Sequence, residues 1–387
     1  MIYDLLVIGG GVSGISAAIT YKRLHKLNSV LILESLDSPL KKLNASGAGK
    51  GNFTNENLSS SVFDNSSFVK EVFKDNPKGE ILSFFDFLNI KYTKDDEGRY
   101  YPFSLDAKTI SSRLIEELNK LNIELITNHK VKSISKDEYF NVDDYKAKSL
   151  VISVGGINYK SLGSDGALYG EIEKAFNHTF TKLIPSNIYI NINETNITKR
   201  LTGLRFKAKL SLYYNNKYIY SEKGELLFKD NALSGIVSFN VSNYLSRYYK
   251  SSISSPFYVY VDFTNDTDIL DTVKSKDELY GIFTRKLVDT IYDDNKSLKE
   301  NLSMFKAYKF SVKGLFDADN AQATTGGINL NEINATLESK LVDNLFFTGD
   351  ILDVSAISGG FNLSFAFISG LRAGQNIKWP KKKPLNT

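Results

Sequence analysis

Two short apolar runs near the start of the chain, separated by a glycine-rich turn and a helical pattern, give the clearest hydrophobic signal. The runs lie at 4–8 and 30–33 and have the length and apolar content of buried strands. The turn is Gly-x-Gly-x-x-Gly at 9–14, and Glu34 follows the second run, 20 positions after the last glycine. This order of strand, glycine turn, helix, strand and acid predicts a dinucleotide-binding βαβ unit.

Each part of this unit has a physical role in binding a dinucleotide. Gly9 allows the tight turn, Gly11 lets the backbone approach a pyrophosphate, and Gly14 lets the helix pack closely on the strand. The helix N-terminus then faces the phosphate charge. Glu34 can accept hydrogen bonds from ribose hydroxyls and disfavours a 2′-phosphate. A lone glycine turn also occurs in βαβ units that bind no nucleotide, but here the flanking strand, helix and acid agree.

The hydrophobic pattern changes along the rest of the chain. Helical spacing of apolar residues predicts helices at 66–90 and 106–122, and apolar runs predict strands at 124–126 and 129–134. From about residue 187, apolar and polar residues alternate between turn signals, which is typical of antiparallel β structure.

These changes divide the chain into two domains of an α/β protein. A Rossmann-like nucleotide-binding domain with a parallel sheet is predicted from 1–186 and 323–387, because the pattern of strand, glycine turn and helix returns near the C-terminus. The alternating segment 187–322 is predicted to be an inserted antiparallel β domain. Polar helical spacing at about 267–305 predicts a small helical subdomain within it.

Composition narrows the chemistry that this chain can perform. Its 387 residues include no cysteine, which excludes disulfides, thiolate nucleophiles, iron–sulfur ligation and cysteinyl-flavin. Only three histidines are present, widely separated, so we predict no metal and expect redox chemistry to come from an organic cofactor. The net charge of +4 gives no support for a nucleic-acid partner.

The N-terminus and the hydropathy predict a cytoplasmic location. The chain begins almost directly with the first predicted strand, and Asp4 with the following glycines does not fit a signal peptide. No apolar run approaches the ~18 residues of a membrane span. We expect a cytoplasmic protein that contacts no membrane, and its oligomeric state is left open.

Two further glycine motifs indicate which dinucleotide is bound. An apolar strand at 151–154 ends in a glycine pair, and 346–350 reads Phe-Phe-Thr-Gly-Asp. Together with the first turn, this set resembles the FAD-binding domain of the glutathione-reductase-like flavoproteins. The resemblance implies that Asp350 holds a ribityl hydroxyl. It also implies that a helix N-terminus near 360–363 faces the pyrimidine edge of the flavin, where its dipole stabilises negative charge. Taken singly, each motif is also an ordinary turn.

A narrower resemblance lies in the loop after the first βαβ unit. The segment 41–55, Lys-Lys-Leu-Asn-Ala-Ser-Gly-Ala-Gly-Lys-Gly-Asn-Phe-Thr-Asn, is similar to the signature loop of a bacterial FAD-dependent oxidoreductase family. That family includes aminoacetone oxidase and a reductase of unsaturated bile-acid intermediates. Further family-like blocks follow in order as far as residue 374. The resemblance implies a discontinuous Rossmann-like FAD-binding domain with an inserted β-barrel-like domain and a small helical subdomain.

The signature loop departs from the family pattern at three positions. The family usually has a third glycine where this chain has Ala48, and Arg-Cys where it has Lys50 and Gly51. Lysine keeps the positive charge but loses the planar fork of arginine, and glycine removes any thiol. If the family's Arg-Cys pair contacts substrate, the substrate of this chain differs.

The motifs and the resemblance together define a predicted site for non-covalent FAD. Its members come from the glycine turn, the acid, the signature loop, a strand near the adenine and the two later glycine motifs. They are Gly9, Gly11, Val12, Ser13, Gly14, Glu34, Ser35, Lys42, Ser46, Gly47, Gly49, Asn52, Val131, Gly155, Gly156, Gly349, Asp350, Gly360, Asn362 and Leu363.

The sequence leaves the catalytic residues unknown, because a flavin performs the hydride transfer itself. Lys50 and Asn52 are weak candidates, since their loop is expected to cross the flavin, and a purely structural role for that loop is the alternative. Val131 is expected to contribute only backbone contacts to the adenine, as a strand residue. His178 is expected to be a helix-capping or core histidine in preference to a proton shuttle.

The predicted function is that of an FAD-dependent oxidoreductase acting on a small organic substrate. No second Gly-x-Gly-x-x-Gly follows a strand, so the electron partner is either NAD(P)H, as a transient co-substrate, or oxygen. One alternative is a flavin-bound interaction protein with little turnover. Another is a tRNA-modifying flavoenzyme, which would need a strongly basic surface.

Overall fold

The computed structural model describes residues 1–251, 256–315 and 318–378. The chain forms two compact units. Unit 1 comprises Met1–Leu183 and the chain from Gly326 onward, and unit 2 comprises Ile184–Thr325. Each unit has its own hydrophobic core.

Most strands belong to one of two large sheets, one in each unit. In chain order the strands are β1 (Ile2–Ile8), β2 (Val30–Leu33), β3 (Thr54–Asn55), β4 (Tyr92–Lys94), β5 (Arg99–Pro102), β6 (Glu124–Ile126), β7 (Ile134–Lys136), β8 (Phe140–Val142), β9 (Tyr145–Ile152), β10 (Ile184–Ser186), β11 (Ile190–Ile192), β12 (Arg205–Tyr214), β13 (Lys217–Lys229), β14 (Ala232–Ser234), β15 (Phe257–Asp262), β16 (Tyr308–Gly314), β17 (Ala323–Thr325) and β18 (Leu345–Phe347). The helices are α1 (Val12–Leu24), α2 (Lys41–Ala45), α3 (Ser66–Phe73), α4 (Pro77–Phe87), α5 (Ala107–Lys120), α6 (Tyr169–Phe176), α7 (Thr195–Leu201), α8 (Ile236–Lys250), α9 (Lys276–Leu279), α10 (Arg285–Ile291), α11 (Leu298–Lys306) and α12 (Phe361–Asn376).

The large sheet of unit 1 has the strand order β6-β2-β1-β9-β8-β7, and β18 pairs in parallel with the second half of β9. Strand β1 is parallel to both of its neighbours, with Leu6 opposite Leu31 on β2 and Leu150 on β9. All three leucines are fully buried. Strands of a parallel sheet are covered on both faces, which is why they form continuous apolar runs in the sequence. The sheet confirms the predicted Rossmann-like α/β fold.

Helices α1 and α12 pack against each other at a distance that requires glycine. A Cβ on Gly370 would collide with the Ser13 carbonyl oxygen, and a Cβ on Gly374 would lie 2.8 Å from Thr20 Cβ. Glycine is the residue that lets two backbones approach this closely. Helix α12 is thereby held against the helix that follows the glycine turn.

The strand predicted at 129–134 is wrong, because β7 begins only at Ile134. The Asp143 carboxylate accepts hydrogen bonds from the backbone N–H groups of Lys132 and Ser133, at 3.1 and 2.9 Å. A side chain thus replaces a neighbouring strand as the partner of this backbone. Val131 therefore does not lie on a strand.

The single helical segment predicted at 66–90 forms two helices, α3 and α4. Lys74, directly after α3, has a φ of +55°. Asn76 caps α4 by accepting a hydrogen bond from the Gly79 N–H at 3.0 Å, and Pro77 is the first residue of that helix. Proline starts a helix readily but disfavours helical backbone in the residue before it. The break therefore has a local cause.

The inserted domain contains a closed six-stranded barrel with the order β11-β14-β13-β12-β15-β16. Alternate residues are fully buried, as at Leu210 and Leu212 on β12 and Val259 on β15, while their neighbours are half-buried or exposed. Asn215 and Asn216 connect β12 to β13 with positive φ at both positions, as a type I′ turn requires. The predicted antiparallel, barrel-like insert is confirmed.

Short helices accompany the barrel in unit 2, with α9, α10 and α11 between strands β15 and β16. Helix α11 begins with a capping box, in which Ser297 Oγ accepts from the Glu300 N–H and the Glu300 carboxylate accepts from the Ser297 N–H. Over the ranges that the structure describes, no helix is long and apolar enough to cross a membrane.

Candidate cofactor site

The glycine turn after β1 has the geometry that its sequence predicts. Gly9 has a φ of +106°, and a Cβ there would lie 2.5 Å from the Ser153 carbonyl oxygen. A Cβ on Gly14 would collide with the carbonyl oxygen of Gly9. A Cβ on Gly11, in contrast, would meet no atom of the described chain within 4 Å. The protein's own packing therefore requires Gly9 and Gly14, whereas Gly11 leaves space in front of the N-terminus of α1.

Glu34, at the end of β2, is buried beside this turn. Its Oε2 accepts a hydrogen bond from the Gly10 N–H at 2.7 Å, and its Oε1 accepts from the Leu36 N–H at 2.8 Å. A Cβ on Gly10 would lie 2.9 Å from the carboxylate, so glycine is needed there too. Oε1 also accepts a hydrogen bond from the Ser35 hydroxyl at 3.2 Å. Two backbone N–H groups thus fix the carboxylate, and Oε2 keeps a lone pair for a ligand hydroxyl.

Ser153 joins the ends of β1 and β9. Its hydroxyl lies 2.8 Å from the Ile8 carbonyl oxygen and 2.9 Å from that of Gly9. Two residues later, Gly155 has a positive φ, and its carbonyl oxygen accepts a hydrogen bond from the buried Tyr169 hydroxyl at 2.8 Å. Burial raises the pKa of Tyr169, which keeps its hydroxyl protonated as a donor.

An ion pair joins the signature loop to the C-terminal glycine motif. Lys42 Nζ lies 2.6 Å from Asp350 Oδ2 and 3.2 Å from Asn158 Oδ1. Gly349, directly before the aspartate, has a φ of +74°, and a Cβ there would lie 2.5 Å from Ser13 Oγ. Lys42 of the predicted FAD site and the predicted ribityl-binding Asp350 are thus in direct contact, beside the first turn of α1.

The signature loop turns through four residues with left-handed backbone. Gly47, Ala48, Gly49 and Gly51 have φ angles of +56°, +55°, +84° and +73°. Glycine adopts this conformation without strain and alanine does not. A Cβ on Gly51 would lie 2.9 Å from Ala107 Cα, so close packing against α5 requires the glycine that replaces the family's cysteine.

Asn52, at the end of this loop, is 8% exposed. Neither its Oδ1 nor its Nδ2 has a hydrogen-bond partner in the described part of the chain. Its side chain lies against Gly360, where a Cβ would collide with Asn52 Oδ1. Gly360 is the N-cap of α12, and no side chain caps this helix. A buried amide without partners therefore lies beside the positive end of a 16-residue helix.

Asn362, in the first turn of α12, uses its side chain within the protein. Its Oδ1 accepts from the Ala356 N–H at 2.8 Å, and its Nδ2 donates to the Ala356 carbonyl oxygen at 2.9 Å. Both polar atoms of the Asn362 side chain are therefore engaged with the Ala356 backbone. The N–H groups of Phe361, Asn362 and Leu363 belong to the first turn, where helices have no internal acceptor for them.

Buried polar atoms without partners collect in and beside the signature loop. Among the residues that the structure describes, they include the side-chain oxygens of Asn44 and Ser46, both polar atoms of Asn52, and the hydroxyl of Thr348 before Gly349. Such atoms are rare in folded proteins, so a polar ligand is their expected partner. Together with the space before Gly11 and the N–H groups of α12, these residues fit an extended dinucleotide such as FAD.

The remaining predicted residues have mixed environments. Ser35 and Lys50 are exposed, Gly156 is buried, and Val131 is half-buried in the irregular segment before β7. The two catalytic candidates therefore differ, because Lys50 lies on the surface and Asn52 does not. In the described ranges, no three His, Asp or Glu side chains come together in a group that could hold a metal ion.

His178 is fully buried and has a structural role. Ser339 Oγ accepts from the N–H groups of Leu341 and Val342, at 3.0 and 2.9 Å, so its proton points to His178 Nε2 at 2.8 Å. Nδ1 then carries the ring proton and donates to Glu332 Oε2 at 2.8 Å. Burial lowers the pKa of His178, which favours this neutral form. The expectation of a core histidine is confirmed.

Sequence reasoning missed Asn158, Ser153 and Tyr169. Asn158 is fully buried and accepts a hydrogen bond from Lys42, and the other two fix the backbone around Gly9 and Gly155. The nearest sequence signal is their position directly around the second glycine motif. The partners of Asn158 and Ser153 are 116 and 145 residues away along the chain, so only the fold shows those contacts. The partner of Tyr169 is 14 residues away, at Gly155.

Residues 3–376 match the family described as HI0933-like protein Rossmann domain. The chain belongs to the HI0933-like family. As a member of this family of FAD-binding Rossmann-type proteins it is a flavin-dependent oxidoreductase, which the motifs and the signature loop predict.

Three relatives cover almost the whole chain. The 3-dehydro-bile acid delta(4,6)-reductase of Clostridium scindens is 29% identical over 405 residues, which cover 95% of this chain and 97% of the relative. The ribosomal RNA dihydrouridine synthase of Escherichia coli is 24% identical over 401 residues, which cover 97% and 98%. A second enzyme of that name, from Haemophilus influenzae, is 23% identical over 403 residues, which cover 96% and 98%.

Solved structures share the fold of this HI0933-like protein. The 3-ketosteroid-delta4-(5alpha)-dehydrogenase of Rhodococcus jostii RHA1 superposes with a TM-score of 0.50 at 13% identity, covering 96% of both chains. The open conformation of a flavocytochrome c3 fumarate reductase gives a TM-score of 0.51 at 13% identity, covering 97% of this chain and 78% of that one. At this identity the similarity concerns the fold alone.

Proposed function

We propose that this HI0933-like protein is an FAD-dependent reductase that saturates a carbon–carbon double bond conjugated with a carbonyl group in a small organic substrate. The observation that carries the proposal is the 29% identity, over 95% of the chain, to a relative named as a 3-dehydro-bile acid delta(4,6)-reductase. Such a name denotes a ketone with neighbouring double bonds. Hydride adds to a bond of this kind because the carbonyl oxygen takes up the negative charge.

We propose that FAD binds along the row of predicted residues in unit 1. Its adenosine would lie at Glu34, whose carboxylate two backbone N–H groups hold in place. Its pyrophosphate would lie in the space before Gly11. Its ribityl chain would contact the ion pair of Lys42 and Asp350, and its ring would lie near Asn52. The buried polar atoms without partners support this order.

The residues around the ring would tune it and position it. When bound, FAD carries hydride between a donor and the substrate. The N-terminus of α12 favours negative charge at the neighbouring edge of the ring. The Asn52 amide offers one donor and one acceptor there, and burial makes both interactions stronger than in water. Family membership favours this enzymatic role over that of a flavin-bound interaction protein.

NADH or NADPH is the proposed electron donor. One NAD(P)H and one proton supply the two hydrogens added across the double bond, and NAD(P)⁺ is released. Because no second dinucleotide motif follows a strand in the sequence, the nicotinamide would bind transiently as a co-substrate.

The decisive experiment is an anaerobic titration of the FAD-loaded protein with NADH and then NADPH, following the ~450 nm band of oxidised flavin. We expect one nicotinamide to bleach the band, and a ketosteroid with a conjugated 4-ene to restore it without oxygen. Bleaching by neither nicotinamide would contradict the proposal. Bleaching by a small amine instead would indicate an oxidase or dehydrogenase.

Asn52 offers a test of cofactor placement that does not depend on turnover. In Asn52→Leu the buried amide without partners is removed, so we expect the FAD-free protein to become more stable by about 1 kcal/mol. FAD binding should weaken about tenfold, because the ring loses a donor and an acceptor. Isothermal titration and thermal unfolding measure both effects.

The matched control is Asn158→Leu, because the Asn158 amide accepts a hydrogen bond from Lys42 within the protein. That change should destabilise the FAD-free protein. If Asn52→Leu also destabilises it, or leaves FAD affinity unchanged, Asn52 does not face the cofactor.

A second candidate function is reduction of a uridine in RNA. Two relatives named as ribosomal RNA dihydrouridine synthases are 24% and 23% identical over nearly the whole chain. A uracil ring also carries a double bond conjugated with a carbonyl, so the proposed chemistry is shared. Reoxidation of the reduced protein by RNA, and not by the ketosteroid, would favour this candidate.

A further inference from the structure

We propose that the outer face of the unit 2 barrel binds single-stranded nucleic acid. This inference goes beyond the proposed reduction and does not depend on it. It concerns a group of outward-facing residues, here called the tyrosine face, which is defined by position in the barrel. The tyrosine face consists of Ser211, Tyr213, Tyr218, Ser221, Tyr258, Tyr260, Lys309 and Ser311.

The register of four adjacent strands assembles this face in two rows. One row runs Ser221, Ser211, Tyr260 and Lys309, and the next runs Tyr218, Tyr213, Tyr258 and Ser311, each across strands β13, β12, β15 and β16. On β12, β15 and β16 the residues between the two rows are Leu212, Val259 and Phe310, which are fully buried in the barrel core. On β13 the intervening Ile219 and Tyr220 are half-buried. Side chains of the two rows therefore share one outer surface.

Three of the four tyrosine rings contact one another. The rings of Tyr213 and Tyr218 have centroids 5.8 Å apart, and those of Tyr213 and Tyr260 are 5.0 Å apart. Tyr218 is 52% exposed, and the other three tyrosines are partly exposed. Exposed aromatic rings on neighbouring strands give the bases of a single strand a stacking surface, which every base can use because each has a π-face.

Lysines accompany the rings. Lys309 Nζ lies 3.6 Å from the centroid of the Tyr258 ring. Strands β12, β13, β15 and β16 carry eight basic residues, Arg205, Lys207, Lys209, Lys217, Lys223, Lys229, Lys309 and Lys313, against three acidic ones, Glu222, Glu225 and Asp262. In the described residues, Lys207, Lys217, Lys309 and Lys313 form no ion pair with a carboxylate.

Acids reduce this charge at two places, and one of them is Ser311, whose N–H donates to the Glu194 carboxylate at 2.9 Å. Asp266, in the loop after β15, pairs with both Lys209 and Lys223. Lys207 lies six residues from Tyr213 along β12, which at about 3.4 Å per residue is about 20 Å, the span of a few nucleotides. The face therefore combines unpaired cations with stacking rings over the length of a short single strand.

The chemistry of the face favours nucleic acid over an apolar protein partner. Its eight residues are tyrosine, serine and lysine, without an aliphatic side chain. A protein interface of ordinary type has an apolar core and few lysines. The net charge of +4 does not reveal the excess of basic residues on these four strands, because acidic residues elsewhere in the chain offset it.

The test is fluorescence anisotropy of the full-length protein with a labelled 12-nucleotide oligouridylate, at 20 to 200 mM KCl. We expect saturable binding that weakens as salt rises. The double variant Tyr213→Thr with Tyr258→Thr should weaken binding at least tenfold, because stacking is lost while threonine keeps the strand preference. Lys309→Gln should lower the slope of log affinity against log salt by about 0.7.

Lys299→Gln is the matched control, because Lys299 is exposed on helix α11 and does not belong to the tyrosine face. It should leave both affinity and salt slope unchanged. Circular dichroism and FAD content check that each variant is folded.

Three results would overturn the proposal. The first is no binding at 20 mM KCl. The second is that heparin binds as tightly as the oligouridylate and that the tyrosine changes do not alter oligouridylate binding. Charge attraction alone would then explain the binding. The third is a tyrosine variant that changes the sedimentation of the protein and not its RNA binding, which would make the face a contact between copies of this chain. None of these results bears on reduction by NAD(P)H, so failure here is distinguishable from failure of the proposed reaction.

Discussion

The proposed FAD site of unit 1 depends on glycines in local turns, while the proposed nucleic-acid surface of unit 2 consists of tyrosines, serines and a lysine on strand faces. A Cβ on Gly14 would collide with the Gly9 backbone, and both residues lie within one local turn. Tyr213 and Tyr260 touch only because β12 and β15 pair in one register. The glycine turn of unit 1 can therefore be predicted from sequence spacing, because its geometry is local. The tyrosine face of unit 2 cannot, because it depends on pairing between distant strands.

The largest expected effect tests the local nature of the unit 1 turn. Gly14→Ala should destabilise the FAD-free protein by about 3 kcal/mol, because its Cβ overlaps a carbonyl oxygen that is fixed by β1. Gly11→Ala is its control. Its Cβ meets no described atom within 4 Å, so the FAD-free protein should unfold as the parent does.

The same pair separates folding from binding. Gly11→Ala should weaken FAD binding tenfold or more, because the methyl group occupies the space before the helix N-terminus. Urea unfolding without FAD and isothermal titration with FAD measure the two quantities. If both changes lowered the stability of the FAD-free protein equally, packing would require Gly11 as well as Gly14. The contrast between a glycine required by packing and one required by a ligand would then be wrong.

The next effect concerns a buried group of unit 1 that titrates. The folded-state pKa of His178 lies below the ordinary value of about 6.5, because burial disfavours the charged ring. The unfolded chain therefore binds a proton first as pH falls. The contribution of His178 to stability is complete above about pH 6.5 and is lost as pH falls from there towards the folded-state pKa.

His178→Gln should reduce this loss of stability between pH 7.5 and pH 5. At pH 7.5 it should cost about 2 kcal/mol, because hydrogen bonds to Glu332 and Ser339 are broken. Chemical unfolding at several pH values gives both numbers. An unchanged pH dependence in His178→Gln would assign the titration to another group.

A smaller effect compares strained backbone with ordinary helix inside unit 1. Ala48 has a φ of +55° in the signature loop, where alanine costs about 1–2 kcal/mol. Ala48→Gly should therefore stabilise the protein by about 0.5–1 kcal/mol after the greater chain entropy of glycine is counted. Ala175→Gly, within helix α6, should destabilise it by about 1 kcal/mol. Thermal unfolding of the two variants should give shifts of opposite sign.

The smallest effect belongs to the barrel hairpin of unit 2. Asn216 has a φ of +61°, a conformation that asparagine tolerates well. Asn216→Gly should change the stability by less than about 0.5 kcal/mol, because the turn already has suitable residues. A large change in the unfolding midpoint would show that this turn is strained like the one at Ala48.

Much of the unit 1 site could be predicted because its parts are close in sequence or carry a glycine signal. The turn at 9–14, Glu34 and the loop at 41–55 lie where the spacing requires. The strand at 129–134 was a wrong prediction, because the Asp143 side chain satisfies that backbone and no periodicity reports such a bond. The partners of Ser153 and Asn158 could not be predicted either, since they come from distant segments.

The sequence by itself determined the Rossmann-like α/β fold, the β-rich insert and the dinucleotide turn, because each rests on short-range periodicity or on a local backbone conformation. Only the tertiary structure decided that Lys42 pairs with Asp350, that Asn52 is buried without partners beside Gly360, and that four tyrosines share one face. Those arrangements depend on which distant segments pack together. Hydrophobic burial over a whole unit decides that packing, and no local pattern encodes it.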